Sequence, residues 1–383
     1  MRVYILGSKG IPAKYGGFET FADRLVSGSN SPIDYVVTGM ADEASEYVYE
    51  GARCVQFKTK NSAVGRMLHT WQALAFVFKD AKSSPESAVY ILGCRAGIVL
   101  PFFRPFLKKR NVNILVNPDG AEWKRAKWNP IAKLVVLIFE HLLVKSADVV
   151  VCDSRAIVDI MRDEFNVPAA KLKFVAYGSD VYDEKEAFSQ KVEDEYAEWL
   201  KAKEIATKPY YLMVGRFVPE NNFELIIKEF MLSKSKANLV IVSNITQSKF
   251  YDQLELATGM KNDPRVKLVG TLYDQDVLKL LRARAVAYIH GHEVGGTNPS
   301  LLEALGTTKV NLIFDVSFNR EVAVDAGLYF TAEKGNLAAL LESTDKITKE
   351  IADDMGVSAK QRIKDEYSWN NIIADYEKLF NES

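Results

Sequence analysis

The strongest constraint on the fold is a rhythm of short, β-branched apolar runs separated by helical stretches. In the first half these runs are Val3–Leu6, Tyr35–Thr38, Cys54–Phe57, Val89–Leu92, Asn113–Val116, Val149–Cys152 and Lys173–Ala176. In the second half they are Tyr211–Val214, Leu239–Val242, Val266–Val269, Val286–Ile289 and Val310–Phe314. Strands that are apolar on both faces and alternate with helices predict parallel sheets covered on both sides, an α/β architecture. A chain of 383 residues is too long for one ordinary core and suits two such domains.

The two halves open alike, with an apolar strand, a glycine, a polar turn and a helix. The first opening is Val3-Tyr4-Ile5-Leu6-Gly7-Ser8 and the second is Tyr211-Leu212-Met213-Val214-Gly215-Arg216. Between the halves, Ser179 to Lys208 is rich in Glu, Lys, Asp and Ser and has no strand pattern. The predicted organisation is a Rossmann-like domain over 1–178, a linker with a polar helix over 179–208, a second Rossmann-like domain over 209–365, and a closing helix over 366–383. Ligands of open α/β sheets lie beyond the carboxyl ends of the strands, so the loops after the strands are where chemistry is expected.

Composition excludes several classes. Hydrophobic residues at 48% and charged residues at 26% describe a globular chain, not a disordered one. A net charge of -1 gives no global basic field for nucleic acid. Cys54, Cys94 and Cys152 are far apart, form no CxxC pair and lie in or beside apolar runs, so buried free thiols in a reducing compartment are expected. The first residues read at once as a strand, not a secretory leader. The most apolar stretch, Ile131 to Val144, is shorter than the roughly 20 residues of a membrane span and contains Lys133, Glu140 and His141. A cytoplasmic chain, at most peripheral to a membrane, is the expectation.

Three strand-end loops contain residues suited to an anionic ligand. The first runs from Gly7 through Lys9, Gly10, Ile11, Pro12, Ala13, Lys14 and Tyr15 to Gly16, Gly17, Phe18 and Glu19, and opens a helix. It is neither GxGxxG nor a P-loop. Adjacent Gly16 and Gly17 let backbone N–H groups approach an anion at a helix start; a tight turn that needs glycine for its angles is the alternative. The second, Gly215-Arg216-Phe217-Val218-Pro219-Glu220-Asn221-Asn222, offers Arg216 as a planar fork of donors for a diphosphate. The third runs from His290 through Gly295-Gly296-Thr297-Asn298-Pro299-Ser300 to Glu303-Ala304-Leu305-Gly306. A helix start near Pro299 would present free N–H groups to phosphate, and Glu303 about one turn later suits the paired hydroxyls of a ribose or sugar. His290, His292 and Glu293 lack a clear further ligand, so no metal is assigned.

Taken in order, the Gly-Arg-Phe-Val-Pro-Glu loop, the Gly-Gly-Thr-Asn-Pro-Ser-Leu-Leu-Glu-Ala loop and helix, and the closing Tyr367-Ser368-Trp369 segment resemble the retaining GT-B glycosyltransferases of family 4. The Ile11-Pro12-Ala13-Lys14-Tyr15-Gly16-Gly17-Phe18-Glu19 loop is similar to the bacterial rhamnosyltransferase branch that builds capsule and cell-wall polysaccharide. The resemblance implies two Rossmann-like domains facing across a cleft, with the closing helix crossing back to the first. It places Gly16 and Gly17 at the donor phosphates and sugar, Arg216 at the diphosphate, and Glu303 at the donor ribose. Thr271 and Tyr273, in Gly270-Thr271-Leu272-Tyr273, fall where the family borders the base, and Gly295, Gly296, Thr297, Asn298 and Ser300 line the donor loop.

This chain departs from the family at three places. Asn221 and Asn222 stand where relatives have a lysine-glycine pair, which leaves one phosphate charge to be supplied; Lys249 is the candidate. Gly295 stands where the first acid of the family's glutamate pair would be. Asn117-Pro118-Asp119-Gly120 occupies the place of a histidine in many relatives, which makes Asp119 the candidate group nearest the reacting carbon. Glycosyl transfer passes through an oxocarbenium-like state while the nucleotide diphosphate leaves with negative charge. Arg216, Lys249 and the Gly295–Thr297 amides would stabilise that charge, with Asp119, Glu303 and Arg216 as the catalytic set and no cofactor or metal required.

The acceptor side is read from mixed aromatic and basic surfaces. Phe102-Phe103-Arg104-Pro105-Phe106-Leu107-Lys108-Lys109-Arg110 and Trp123-Lys124-Arg125-Ala126-Lys127-Trp128 suit an anionic membrane interface and a lipid-diphosphate-linked saccharide acceptor. The alternative is buried aromatic helix ends with solvated charges. Tyr15, Glu122, Trp123, Lys124 and Arg125 are the acceptor candidates. Rival readings are a UDP-glucose-type transferase, a sugar-nucleotide epimerase and a noncatalytic nucleotide-sugar-binding scaffold. The dTDP-L-rhamnose donor rests on the branch resemblance alone, since no residue reads out thymine or a 6-deoxy carbon.

Overall fold

The structure is a computed structural model describing all residues except 14–15, 61, 84–85, 121, 125–128, 184–186, 206–207 and 383, and excluding the side chains of Ala63 and Ser83. Two compact units result. Unit 1 comprises Met1–Gly178, Gly295–Thr297 and Trp369–Ser383, and unit 2 comprises Ser179–Val294 and Asn298–Ser368.

Unit 1 runs β1 (Arg2–Leu6), α1 (Gly17–Gly28), β2 (Asp34–Ala41), β3 (Ser45–Tyr49), β4 (Ala52–Lys58), α2 (Ala63–Asp80), β5 (Ser87–Leu92), α3 (Leu100–Lys108), β6 (Val112–Asn117), α4 (Pro130–Ser146), β7 (Val149–Cys152), α5 (Arg155–Asp163) and β8 (Leu172–Phe174). Its sheet has the order β3-β4-β2-β1-β5-β6-β7-β8. The strands near its centre are buried on both faces: Val3, Tyr4, Ile5, Val36, Val37, Val89 and Tyr90 are all 0% exposed. That double burial matches the unbroken apolar runs in the sequence.

The expectation of purely parallel pairing fails at one edge, where β3 runs antiparallel to β4. Glu50 and Gly51 form the two-residue connection, both at positive φ (47° and 78°), which suits a tight hairpin. Ser45-Glu46-Tyr47-Val48-Tyr49 is exposed for most of its length and carries no core pattern, so apolar periodicity alone does not reveal it.

Unit 2 runs α6 (Gln190–Ala202), β9 (Tyr210–Val214), α7 (Phe223–Leu232), β10 (Asn238–Val242), α8 (Lys249–Thr258), β11 (Val266–Gly270), α9 (Gln275–Ala283), β12 (Ala287–His290), α10 (Pro299–Leu305), β13 (Asn311–Phe314), α11 (Ser317–Ala323), β14 (Leu328–Phe330), α12 (Asn336–Thr344) and α13 (Lys349–Glu366). The sheet order is β11-β10-β9-β12-β13-β14, parallel throughout. Successive side chains feed two cores. Tyr211 and Met213 join Leu239, Ile241 and Ile289 on one face. Leu212 joins Val240 and Tyr288 on the other. Val192 and Tyr196 of α6 enter the second core, so the stretch read as linker supplies unit 2 with a packing helix.

The last helix, α14 (Trp369–Asn381), belongs to unit 1, as the sequence led us to expect of a closing helix. Ile372, Ile373, Tyr376, Leu379 and Phe380 form its buried stripe. Tyr376 and Tyr90 share a hydrogen bond of 3.1 Å between their hydroxyls, and Glu377 accepts from the Ser29 hydroxyl at 2.6 Å. Two topological switch points follow from the strand orders: β1 lies between β2 and β5, and β9 between β10 and β12. Loops leaving the carboxyl ends of these strands diverge there and open a crevice. No helix among the described residues is long and apolar enough to cross a membrane.

Candidate functional site

In unit 2 the loops after β9 and β12 meet at the switch point and are locked together by side chains. The Asn221 amide donates to the Arg216 carbonyl at 2.7 Å, and its oxygen lies 2.8 Å from Nδ1 of His292. Asn222, in the left-handed region at φ 55°, donates to the Gly291 carbonyl at 2.9 Å and to Glu293 at 3.0 Å. Behind them the Tyr288 hydroxyl donates to the Val214 carbonyl at 3.0 Å and lies 2.6 Å from the Ser300 hydroxyl. Asn221 and Ser300, both donor-binding candidates, therefore hold the loops with their side chains. Asn298 caps α10, its side-chain oxygen accepting from the Ser300 amide at 2.9 Å.

Two cations remain turned outward on this face of the fold. Arg216 follows β9 after one glycine and is exposed, and among the described residues its guanidinium makes no ion pair. Lys249 is exposed in the first turn of α8, after the Ser248 cap. Thr271 is half-buried just after β11, and Tyr273 is 70% exposed two residues on. Glu303, one turn into α10, receives Nη2 of Arg282 on Oε2 at 2.5 Å. The Arg282 side chain is 6% exposed and that of Glu303 is 41% exposed, so the carboxylate spans from a buried cation to the surface.

His290 adds no charge here. Burial, assisted by the neighbouring His292, pulls the His290 imidazole down to about 3, so it is neutral at physiological pH. Among the described residues no group of His, Cys, Asp or Glu is arranged to hold a metal ion.

In unit 1 the β1 loop ends at Gly16, which sits at φ 126° ahead of α1 and gives the helix no side-chain cap. A Cβ on Gly17 would meet nothing within 4 Å, so the first residue of α1 has open space beside it. Glu19 turns back to accept the Lys9 amide at 2.7 Å, and Asp23 accepts the Ala13 amide at 2.6 Å, which fixes the loop's course. Across the switch point, Asn117 ends β6 with its side chain accepting the Asp119 amide at 2.9 Å. This holds Asp119 and Gly120 at positive φ, 64° and 60°. The Asn117 amide also lies 3.5 Å from the Tyr90 hydroxyl, which links the turn to Tyr376.

The tripeptide Gly295–Thr297 is part of unit 1. The Thr297 hydroxyl donates to the Asp153 carbonyl. A Cβ on Gly296 would fall 1.9 Å from Oδ1 of Asp153, so a side chain there would displace that carboxylate. The Gly296 amide lies within 3.1 Å of where a Cβ of Gly120 would stand. Gly295, Gly296 and Thr297 are thereby brought beside the turn that carries Asp119.

The acceptor candidates divide. Glu122 is 6% exposed and so turned inward. Lys124 pairs with Glu164 at 2.7 Å and lies 5.0 Å from the Trp123 ring. Tyr15 and Arg125 lie outside the described residues, as do Lys14 and 126–128. Asp153 and Asn117 support the unit 1 loops, Arg282 and Tyr288 support those of unit 2, and sequence reasoning missed all four. Asp153 and Asn117 had a signal, since each stands at the carboxyl end of a recognised apolar strand.

Comparison with known proteins bears on this geometry. Residues 1–180 match a domain of unknown function, DUF1972, and residues 196–362 match the glycosyl transferases group 1 family. No curated protein matches the chain significantly. Among solved structures, sucrose-phosphate synthase from Thermosynechococcus elongatus is similar at TM-score 0.78 and 15% identity, covering 100% of this chain and 98% of that one. HepE from Anabaena in complex with UDP and glucose is similar at TM-score 0.74 and 14% identity, covering 100% of both chains. A glycosyltransferase from Rickettsia africae reaches TM-score 0.73 at 13% identity, covering 100% of this chain and 98% of that one. At these identities the likeness shows the fold, which is GT-B.

Proposed function

Since this chain is a group 1 glycosyltransferase with an N-terminal DUF1972 domain, transferring a sugar from a nucleotide sugar, we propose that the sugar is L-rhamnose from dTDP-L-rhamnose. The acceptor in this reading is a lipid-diphosphate-linked saccharide at the inner face of the plasma membrane, in capsule or cell-wall polysaccharide synthesis. One observation carries the donor half of the reading. Arg216 stands exposed at the switch point of the unit 2 sheet, with no ion pair among the described residues, where a diphosphate would need it.

The reaction breaks the bond between the anomeric carbon and the diphosphate oxygen, and the electron pair leaves with the diphosphate. Arg216 and Lys249 stabilise that negative charge as it develops. The acceptor hydroxyl forms the new bond on the face the diphosphate leaves, which retains configuration, and its proton passes to the departing diphosphate oxygen. Glu303, steadied by Arg282, holds the donor ribose. Asp119 stabilises the positive charge at the anomeric carbon.

A UDP-sugar donor is the second reading, favoured by the similarity to HepE, whose structure holds UDP and glucose. The test is donor release with dTDP-L-rhamnose, UDP-glucose, UDP-N-acetylglucosamine and GDP-mannose, each with and without a lipid-diphosphate-linked sugar. Acceptor-dependent release of dTDP alone is expected. Acceptor-dependent release of UDP alone replaces rhamnose with the second reading, and tight donor binding without turnover refutes both.

A further inference from the structure

We propose that the outer face of α2, α3 and α4 docks unit 1 onto an anionic lipid bilayer. Each helix carries an apolar stripe on its exposed side, at spacings that would ordinarily face a core. On α2 the stripe is Val64, Leu68 and Trp71, exposed by 76%, 49% and 50%. On α3 it is Phe102 and Phe106, at 64% and 50%. On α4 it is Ile131, Leu134, Val135 and Ile138, the first 77% exposed.

The three helices are neighbours. α3 packs against both α2 and α4. Trp71 meets Phe103 edge-on with ring centroids 4.9 Å apart, and Phe78 meets Phe106 at 5.8 Å. Large apolar side chains exposed together on three neighbouring helices mark a binding surface.

Charge identifies the occupant. The three helices hold six bases, Arg66, Lys79, Arg104, Lys108, Lys133 and Lys145, against two acids, Asp80 and Glu140. Glu140 is 0% exposed, and Asp80 is turned to Arg2 and Arg53 at 2.9 and 2.8 Å. Asp148, just past α4, holds Lys108 at 2.7 Å and Arg104 at 3.6 Å at one end of the face. The chain as a whole has a net charge of -1, so this basic excess is local. Exposed aromatic and aliphatic side chains on helices with an excess of lysine and arginine match a headgroup layer with negative lipids. A second copy of the chain would instead bring the same bases against one another.

The surface gives a lipid-linked acceptor its place, and in that respect the inference rests on the proposed reaction. The test keeps the two apart. The full chain is floated with vesicles of phosphatidylcholine alone or with added phosphatidylglycerol, with neither donor nor acceptor present. Binding is expected only to the anionic vesicles, weakening as salt is raised. Ile131→Ser combined with Ile138→Ser, two exposed positions, should lower the partition coefficient at least about tenfold while leaving thermal stability unchanged. Absence of binding to either vesicle, or a double variant that binds as well as the parent, overturns the docking face. So does a dimer in sedimentation that the double variant abolishes. Lost vesicle binding with donor release intact leaves the transferase reading standing; vesicle binding with no release from any donor does the reverse.

Discussion

Substituting Glu303 separates two things its carboxylate does. One oxygen holds the guanidinium of Arg282, whose side chain is 6% exposed. Removing one partner of a fully buried pair costs about 3–5 kcal/mol. Glu303 itself is 41% exposed, so solvent screens the pair and water reaches the gap left behind. A loss of about 1–2 kcal/mol for Glu303→Ala follows, or a fall of about 2–8 °C in Tm for a unit of this size. The second role, in the proposed reaction, is a charge-assisted hydrogen bond to the donor ribose, worth about 1.5–3 kcal/mol, or roughly 10- to 150-fold in kcat/KM. Glu303→Gln divides the roles, because the amide oxygen still accepts from Arg282 while the negative charge is gone. Glu303→Gln should therefore keep more than half of the stability that Glu303→Ala loses, yet lose nearly as much kcat/KM. Differential scanning fluorimetry and initial rates of nucleotide release give the two numbers. A Glu303→Gln enzyme with parental kcat/KM and lowered Tm would refute the donor role and leave Glu303 as the structural counter-ion of Arg282.

Arg216→Ala should lower kcat/KM by about 30- to 150-fold with Tm unchanged, because this exposed side chain has no ion pair among the described residues; initial rates and fluorimetry check both. His290 and His69 are held down to about 3 and about 4, in each case chiefly by burial, so both are depressed in the folded state relative to an unfolded value of 6.5. Their contribution is present above pH 6.5 and is lost as pH falls from there through the folded values; for His290 the loss is about 2–3 kcal/mol by pH 4.5. Urea midpoints measured from pH 7 to 4.5 should fall less steeply for His290→Asn than for the parent, and parallel slopes would contradict the burial argument. Tyr376→Phe removes a hydroxyl bonded at 3.1 Å to buried Tyr90 and should cost about 1–2 kcal/mol in a denaturant titration. Because Tyr90 is linked through Asn117 to the Asp119 turn, kcat should fall in that variant while donor KM holds.

What the sequence revealed was set by burial. Strands such as Val3–Leu6 and Leu239–Val242 are apolar on both faces because both faces are covered, so the runs stand out from the helices between them. Ser45–Tyr49 escaped because it is exposed for most of its length, and Leu328–Phe330 because it is only three residues long. Arg216 and Glu303 could be singled out because a strand end or a helix start fixes their place. Asn221 and Ser300 could not be assigned from sequence, since an amide or hydroxyl in a loop is equally suited to a ligand or to a neighbouring loop; here the side chains of both tie the loops together. Asp153 and Arg282 depend on partners 144 and 21 residues away, at Thr297 and Glu303, and no local pattern announces such pairs.

The placement of α14 in unit 1 has a consequence for how the chain is made. Residues 1–178 leave the ribosome early, yet the helix that covers Phe21, Tyr35 and Tyr90 is synthesised only after all of unit 2. Until then those rings wait on a nascent surface, and the earlier of the two units is the later to be finished. Domains generally fold in order of synthesis, but this one cannot close in that order. A product broken off anywhere before residue 369 leaves an apolar scar on unit 1, of the sort chaperones and proteases recognise. Completeness of the chain is thereby written into the stability of its beginning.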